Sequence, residues 1–135
     1  MRKYLLLFIL LQFSGCYYGT NTEIDYARLD SKIYEPTDSI EDIELYWDGT
    51  NQPDKKYTQV AVLEAKGNQE DGLSSLLHQL KLKGQELGAD ALINIKTTNT
   101  IRESGTLLSL ITNPDDNDAT QYYSLVMTCV AIKYK

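Results

Sequence analysis

Leu73-Ser74-Ser75-Leu76-Leu77-His78-Gln79-Leu80-Lys81-Leu82-Lys83-Gly84-Gln85-Glu86-Leu87-Gly88-Ala89-Asp90-Ala91-Leu92-Ile93-Asn94-Ile95 contains a helix, its stop and the start of a strand. Leu73, Leu76, Leu77, Leu80, Gly84 and Leu87 fall at offsets of 0, 3, 4, 7, 11 and 14, one face of an amphipathic helix. Gly84 inside that stripe costs about 1 kcal/mol against alanine, and close approach of helix to sheet is the expected compensation. Gly88 suits the left-handed residue that ends a helix. Asn68 and Asp71, three apart, form a weak N-terminal cap without the preferred Glu or Gln. After the stop, residues 91–97 read as a strand with Ile93 and Ile95 on one face.

Strands flank this unit. Residues 43–47, Ile-Glu-Leu-Tyr-Trp, form a short one. A turn cluster, Asp48-Gly49 and then Asn51-Gln52-Pro53-Asp54, separates it from residues 57–66, rich in Val60, Val62 and Leu63. Residues 122–134 form a long final strand. Tyr123, Leu125, Met127, Cys129 and Ala131 line one face and Tyr122, Val126, Val130 and Ile132 the other. Both faces are apolar, so this strand is expected to be central or covered on both sides. Residues 91–112 read as one long bent strand that pairs with 119–134, with the Asp-rich turn 113–118 as hairpin tip. The expectation is an α+β domain over residues 33–135: an antiparallel sheet of about four strands in β-β-α-β-β order, with one helix on one face.

The first residues carry an address. Arg2 and Lys3 precede an almost wholly apolar run, then Phe13-Ser14-Gly15-Cys16. This charged–apolar–small layout is that of a secretory signal and is too short to span a bilayer. Ser14-Gly15 before Cys16 resembles a bacterial lipobox, although Phe13 replaces the usual Leu, Val or Ile. The resemblance implies a signal peptide over residues 1–15, diacylation (palmitate-type chains) on Cys16, and a polar tether over residues 16–32. Two acyl chains anchor stably where one is marginal. Tyr17, rather than aspartate, after the cysteine points to the outer membrane of a diderm cell envelope over retention at the inner one.

The full chain has 135 residues and a net charge of −6. Cleavage before Cys16 removes 15 residues, Arg2 and Lys3 among them. It leaves 120 residues with 11 basic and 19 acidic groups, a charge of −8. Such a domain repels phosphate backbones and carries no basic stripe, so nucleic acid is excluded as a partner. Cys129 is left without an internal disulfide partner and reads as a small buried hydrophobe.

The stretch from Leu80 to Ile93, with Leu87-Gly88-Ala89-Asp90-Ala91 between helix and strand, resembles the YbjQ/RcsF-like group of small cytosolic proteins and envelope lipoproteins. The likeness extends over residues 33–95 and less fully over 122–134. It implies one helix on a curved sheet. The disulfides of the group's outer-membrane stress sensor are absent, and no metal motif accompanies the heavy-metal-binding label of some relatives.

No catalytic set is legible. His78 is the single histidine and has no nucleophile at motif spacing. Zinc sites usually draw on several Cys or His ligands, so no metal site and no cofactor are expected. Asp115, Asp116 and Asp118 lack the glycine and glutamate of a calcium loop. Asp38, Glu41, Asp42 and Glu44 lack a cleft to fix a carboxylate pair. Tyr46, Trp47 and Tyr57 form the candidate interaction patch, since exposed Trp and Tyr are frequent interface anchors. The expected function is a non-catalytic, lipid-anchored envelope protein acting through protein contacts as sensor, adaptor or assembly factor. The alternative is a small-ligand or divalent-metal-binding module.

Overall fold

The computed structural model describes residues 17–18, 21–106 and 120–135. Its elements are β1 (Tyr17–Tyr18), β2 (Glu23–Arg28), a 3-10 turn (Ile40–Asp42), β3 (Glu44–Trp47), β4 (Tyr57–Lys66), α1 (Leu73–Glu86), β5 (Ala91–Thr106) and β6 (Thr120–Tyr134). Five strands make one mixed sheet in the order β3-β5-β6-β4-β2, and the two-residue β1 pairs with the far end of β5. The single helix lies on one face. The α+β class and the one-helix arrangement therefore agree with the sequence reading, but the sheet is larger than four strands and not wholly antiparallel.

The two differences have physical causes. Strand β3 runs parallel to β5, with Glu44 opposite Ala91 and Leu45 opposite Leu92. Hydrophobic period reports which face a residue takes but not the direction of its neighbour. Strand β2 lies within the expected tether of residues 16–32, yet pairs antiparallel with β4 over six positions, from Glu23 opposite Lys66 to Arg28 opposite Ala61. Only Ile24 packs against the helix-side core from this strand. The remaining residues are mostly polar, as suits an edge that must not recruit further strands.

The helix is built as its spacing requires. Leu76, Leu80 and Gly84 are buried, and Leu77 packs partly against the core. Complete burial of each leucine contributes about 2 kcal/mol. A Cβ on Gly84 would stand 3.1 Å from Leu92 Cδ2 and 3.6 Å from Ile43 Cδ1, so the missing side chain does allow close approach. Gly88 ends the helix at φ +74°. Ala89 is fully buried beyond it, and Asp90 accepts from Lys133 Nζ at 2.6 Å and from the Tyr134 N–H at 2.8 Å. The Leu-Gly-Ala-Asp-Ala pattern thus closes the helix and locks its exit to the end of β6.

Asn68 and Asp71 do form a reciprocal pair. The Asp71 N–H donates to Asn68 Oδ1 at 2.9 Å, and the Asn68 N–H donates to Asp71 Oδ2 at 2.8 Å. The pair closes the loop before the helix rather than its first turn, because the N-cap residue is Gly72 and has no side chain to offer. Burial works against the Asp71 charge. Hydrogen bonds from the Thr22 hydroxyl, the Asn68 N–H and the Ser75 hydroxyl outweigh it, and hold the carboxyl below its ordinary value of 3.8. A depressed carboxylate contributes stability above its unfolded value, and that contribution is lost as pH falls through its folded value. Wild type should therefore exceed Asp71→Asn in urea midpoint near neutrality, with the gap closing below about pH 4. A gap that stays constant into acid would contradict this account.

Long strands β5 and β6 form the expected hairpin, paired from Ala91 opposite Ile132 to Ser104 opposite Thr120. The turn read at 113–118, with Asp115, Asp116 and Asp118, lies outside the described residues. One expectation about β5 is overturned. Ile93 and Ile95 do not share a face, because the register shifts between Ile93 and Lys96 and Asn94 sits at φ +53°. A bulge adds a residue to one strand and reverses the alternation beyond it. Ile95 consequently joins the helix-side core with Leu63, Leu80, Leu92 and Met127, while Ile93 joins Ala91 and Ile132 on the opposite face. Strand β6 is central, and its two apolar faces serve these two clusters as expected. Cys129 is buried in the helix-side core, and burial pushes its thiol up to about 12. At neutral pH it is a protonated core side chain, not a nucleophile.

Candidate functional site

The second cluster forms where the edge strand β3 and its neighbours β5 and β6 lie side by side. Glu44 and Tyr46 are two apart on β3 and so share the face opposite the helix. Ala91 faces Glu44 from β5, and Ile132 faces Ala91 from β6. Ala91 is small and fully buried, which lets side chains from β3 and β6 meet above it. The Tyr46 hydroxyl donates to Glu44 Oε2 at 2.6 Å, and the Tyr134 hydroxyl donates to the same oxygen at 2.5 Å. Lys55 Nζ stands 3.7 Å from Glu44 Oε1 and 4.5 Å over the Tyr134 ring. Tyr57, opposite Tyr134 on β4, and Val130 pack against the same buried group.

The electrostatics follow from these contacts. The phenols of Tyr134 and Tyr46, with Lys55 beside them, hold the Glu44 carboxyl below its ordinary value. Tyr134 is pushed up by burial and then by the Glu44 carboxylate. Tyr46 is pushed up chiefly by its bond to Glu44. Glu44 is thereby committed as an ionised acceptor, and each phenol stays protonated as a donor. This arrangement orients two rings around one carboxylate. It sets no group near neutrality for proton transfer, the requirement for general acid–base work.

The sequence-derived patch is divided by the structure. Tyr46 and Tyr57 belong to this face. Trp47 is opposite Ile95, a helix-side core residue, and therefore takes the other side of β3, where it is 39% exposed. Sequence reasoning missed Tyr134, Lys55 and the bonding role of Glu44. The Glu44/Tyr46 spacing of two was the available signal; Tyr134 is ninety positions away and only the fold brings it in. The carboxylate run does not converge, since Asp38, Glu41 and Asp42 are exposed around the 3-10 turn while Glu44 faces the tyrosines. His78 is exposed on the helix. Among the described residues, no three His, Cys, Asp or Glu side chains form a metal-holding group, and no helix is long and apolar enough to cross a membrane.

A polar cleft of about 270 Å³ lies elsewhere, lined by Asn68, Gln69, Glu70, Ser104 and Tyr122. It is smaller than the roughly 300–1,000 Å³ usual for small-molecule sites. Cys16 lies outside the described residues; Tyr17, which follows it, begins β1. Comparison of the chain with protein-family models, with curated proteins and with solved structures yields no match.

Proposed function

We propose that this chain is a lipid-anchored bacterial envelope protein, held by acyl chains on Cys16, that works by protein contact rather than catalysis. The observation that carries the reading is the N-terminal order: Arg2-Lys3, an apolar run, then Ser14-Gly15-Cys16. Tyr17 after the cysteine favours the outer membrane. The resemblance of Leu87-Gly88-Ala89-Asp90-Ala91 and its surroundings to the YbjQ/RcsF-like group belongs to the same reading.

The partner's docking surface in this proposal is the tyrosine-edged face of Tyr46, Tyr57 and Tyr134. Tyrosines give large, stiff contact area with a polar rim, the composition that recurs in interface anchors. The Glu44 carboxylate fixes two of the rings in advance, which lowers the ordering cost of binding. An envelope protein with an apolar centre and acceptor-rich rim fits this surface.

The test is an in-cell photocrosslink from position 57 of the lipidated protein, with Cys16→Ser as control. A discrete adduct that vanishes in the control is the expected result. An anchored, folded protein that yields no adduct from 57 or 46 would remove this face as a docking surface. Mass analysis of the N-terminal peptide, lacking acyl mass on Cys16, would remove the anchor.

A small-ligand module is the second reading, favoured by the cleft beside Asn68 and Ser104. Divalent-ion calorimetry on wild type and Asp115→Asn/Asp116→Asn separates the two, since a contact protein gives no heat.

A further inference from the structure

The β5–β6 hairpin extends past the helix as an arm. On the helix side of β6, Leu125 is the outermost residue that packs on the core. Beyond it, Tyr123 stands opposite Ile101, and these two are 78% and 58% exposed. A directly paired apolar couple this exposed is a feature that a solvated hairpin has no use for. Leu73, 49% exposed, opens α1, the helix that overlies this face. Its next turn lies close to Gly67, which is itself bonded to the Leu125 carbonyl.

Tyr17, Tyr18, Asn21 and Glu23 are tied to this arm. In β1, Tyr17 is opposite Thr106 and Tyr18 opposite Gly105, so β1, followed back from Tyr18 to Tyr17, runs toward the arm's end. Further along, Arg102 donates to the Asn21 carbonyl at 3.2 Å and pairs with Glu23, the first residue of β2. The stretch following Cys16 is therefore fastened to the arm at three points instead of hanging as a free spacer. From Thr106 back to Ile101 is about 17 Å of strand, at roughly 3.3 Å per residue.

We infer that the helix-side face of the arm, Ile101 and Tyr123, lies against the head-group region of the bilayer that holds Cys16. This rests on the lipid-anchor reading. The occupant is a bilayer because the anchor begins one residue from β1, on this same arm. A tyrosine beside an aliphatic residue matches the interface, where amphipathic rings collect. Between the pair and the arm's end, Gln121 Nε2 donates to Glu103 Oε1 at 3.0 Å, a mutually satisfied couple that suits head-group height. The tyrosine-edged face lies at the opposite end of the sheet. Ala91 to Thr106 spans about 50 Å of strand, so the inferred pose holds that face away from the membrane.

The experiment uses the acylated full chain in phosphatidylethanolamine and phosphatidylglycerol vesicles. Single cysteines at Ile101→Cys, Tyr123→Cys and, on the distal end, Gln59→Cys carry an environment-sensitive fluorophore. Acylation occupies the Cys16 sulfur and burial protects Cys129, so labelling is specific. The expected result is blue-shifted emission and several-fold quenching by brominated acyl chains at 101 and 123, with neither at 59. Flotation with the vesicles, but labels at 101 and 123 as wet as at 59, would overturn the inference and leave the anchor standing. A blue shift without bromine quenching, or one already present in vesicle-free Cys16→Ser chain, would show that protein covers the face and would overturn it too. A chain that neither floats nor carries acyl mass would overturn both.

Discussion

Gly88→Ala should lower the unfolding free energy by about 3 kcal/mol or more, a large part of the roughly 5–15 kcal/mol that holds a domain together. Two independent costs add at this position. The backbone is at φ +74°, and a Cβ in left-handed backbone costs about 1–2 kcal/mol. The new atom would also stand 2.3 Å from the Glu35 carbonyl oxygen and 2.7 Å from Tyr34 Cβ. Neither neighbour is the loose end of a side chain, so the segment 34–35 must move, and overpacking of this kind costs about 1–3 kcal/mol. Gly49→Ala separates the two costs. Gly49 has φ +77° but nothing within 4 Å of its Cβ position. Urea unfolding should show Gly49→Ala losing only the backbone part, about 1–2 kcal/mol. Equal losses in the two variants would mean that the segment before the 3-10 turn does not rest on the helix stop.

Arg102→Leu has the second largest expected effect, about 2 kcal/mol. The Arg102 side chain is only 11% exposed. Its Nη1 donates to the Gly67 carbonyl at 2.8 Å and the Asn21 carbonyl at 3.2 Å, and its Nη2 pairs with Glu23. Leucine keeps much of the packing and removes every bond. Gly67 retains the Ser124 hydroxyl at 2.6 Å, so the loss falls mainly on Asn21 and Glu23. The half-exposed Glu23 carboxylate regains water, and its share is small. Hydrogen exchange should therefore speed up along Glu23–Arg28 more than elsewhere. Lys96→Leu, which breaks an exposed pair with Asp48 at 3.5 Å, should leave β2 protection as it was. Unchanged β2 exchange in Arg102→Leu would show that the strand does not depend on this clasp. On the proposed lipid-anchor reading, the same variant loosens the stretch from Asn21 to Glu23, so it should also weaken the bilayer contact inferred for Ile101 and Tyr123.

Legibility differed sharply between elements. The helix, its glycine stop and the two-faced last strand could be read from single stretches, because each depends on residues a few positions apart. Strand β2 could not, because Glu23–Arg28 carries only one side chain that packs on the core, and an edge strand draws its order from the β4 ladder. Direction was equally hidden in β3, four residues long and held by a parallel neighbour, with Glu44 opposite Ala91, 47 positions later. The patch reading went astray at Trp47 because successive residues of a strand point to opposite faces, so Trp47 cannot share the side of Tyr46. At Ile93 and Ile95 the cause is different: the bulge at Asn94 separates two residues that regular alternation would put together.

By itself, then, the sequence determined the class of the domain, the position and stop of its helix and the burial of Cys129. These rest on local period, local turn chemistry and composition. Only the tertiary structure decided which tyrosines share a face, that Glu44 joins Tyr46 to Tyr134, and that Arg102 fastens Asn21 and Glu23 to the hairpin arm. Each of those depends on strand pairing between residues far apart in the chain, where bulges reset the alternation that sequence patterns assume.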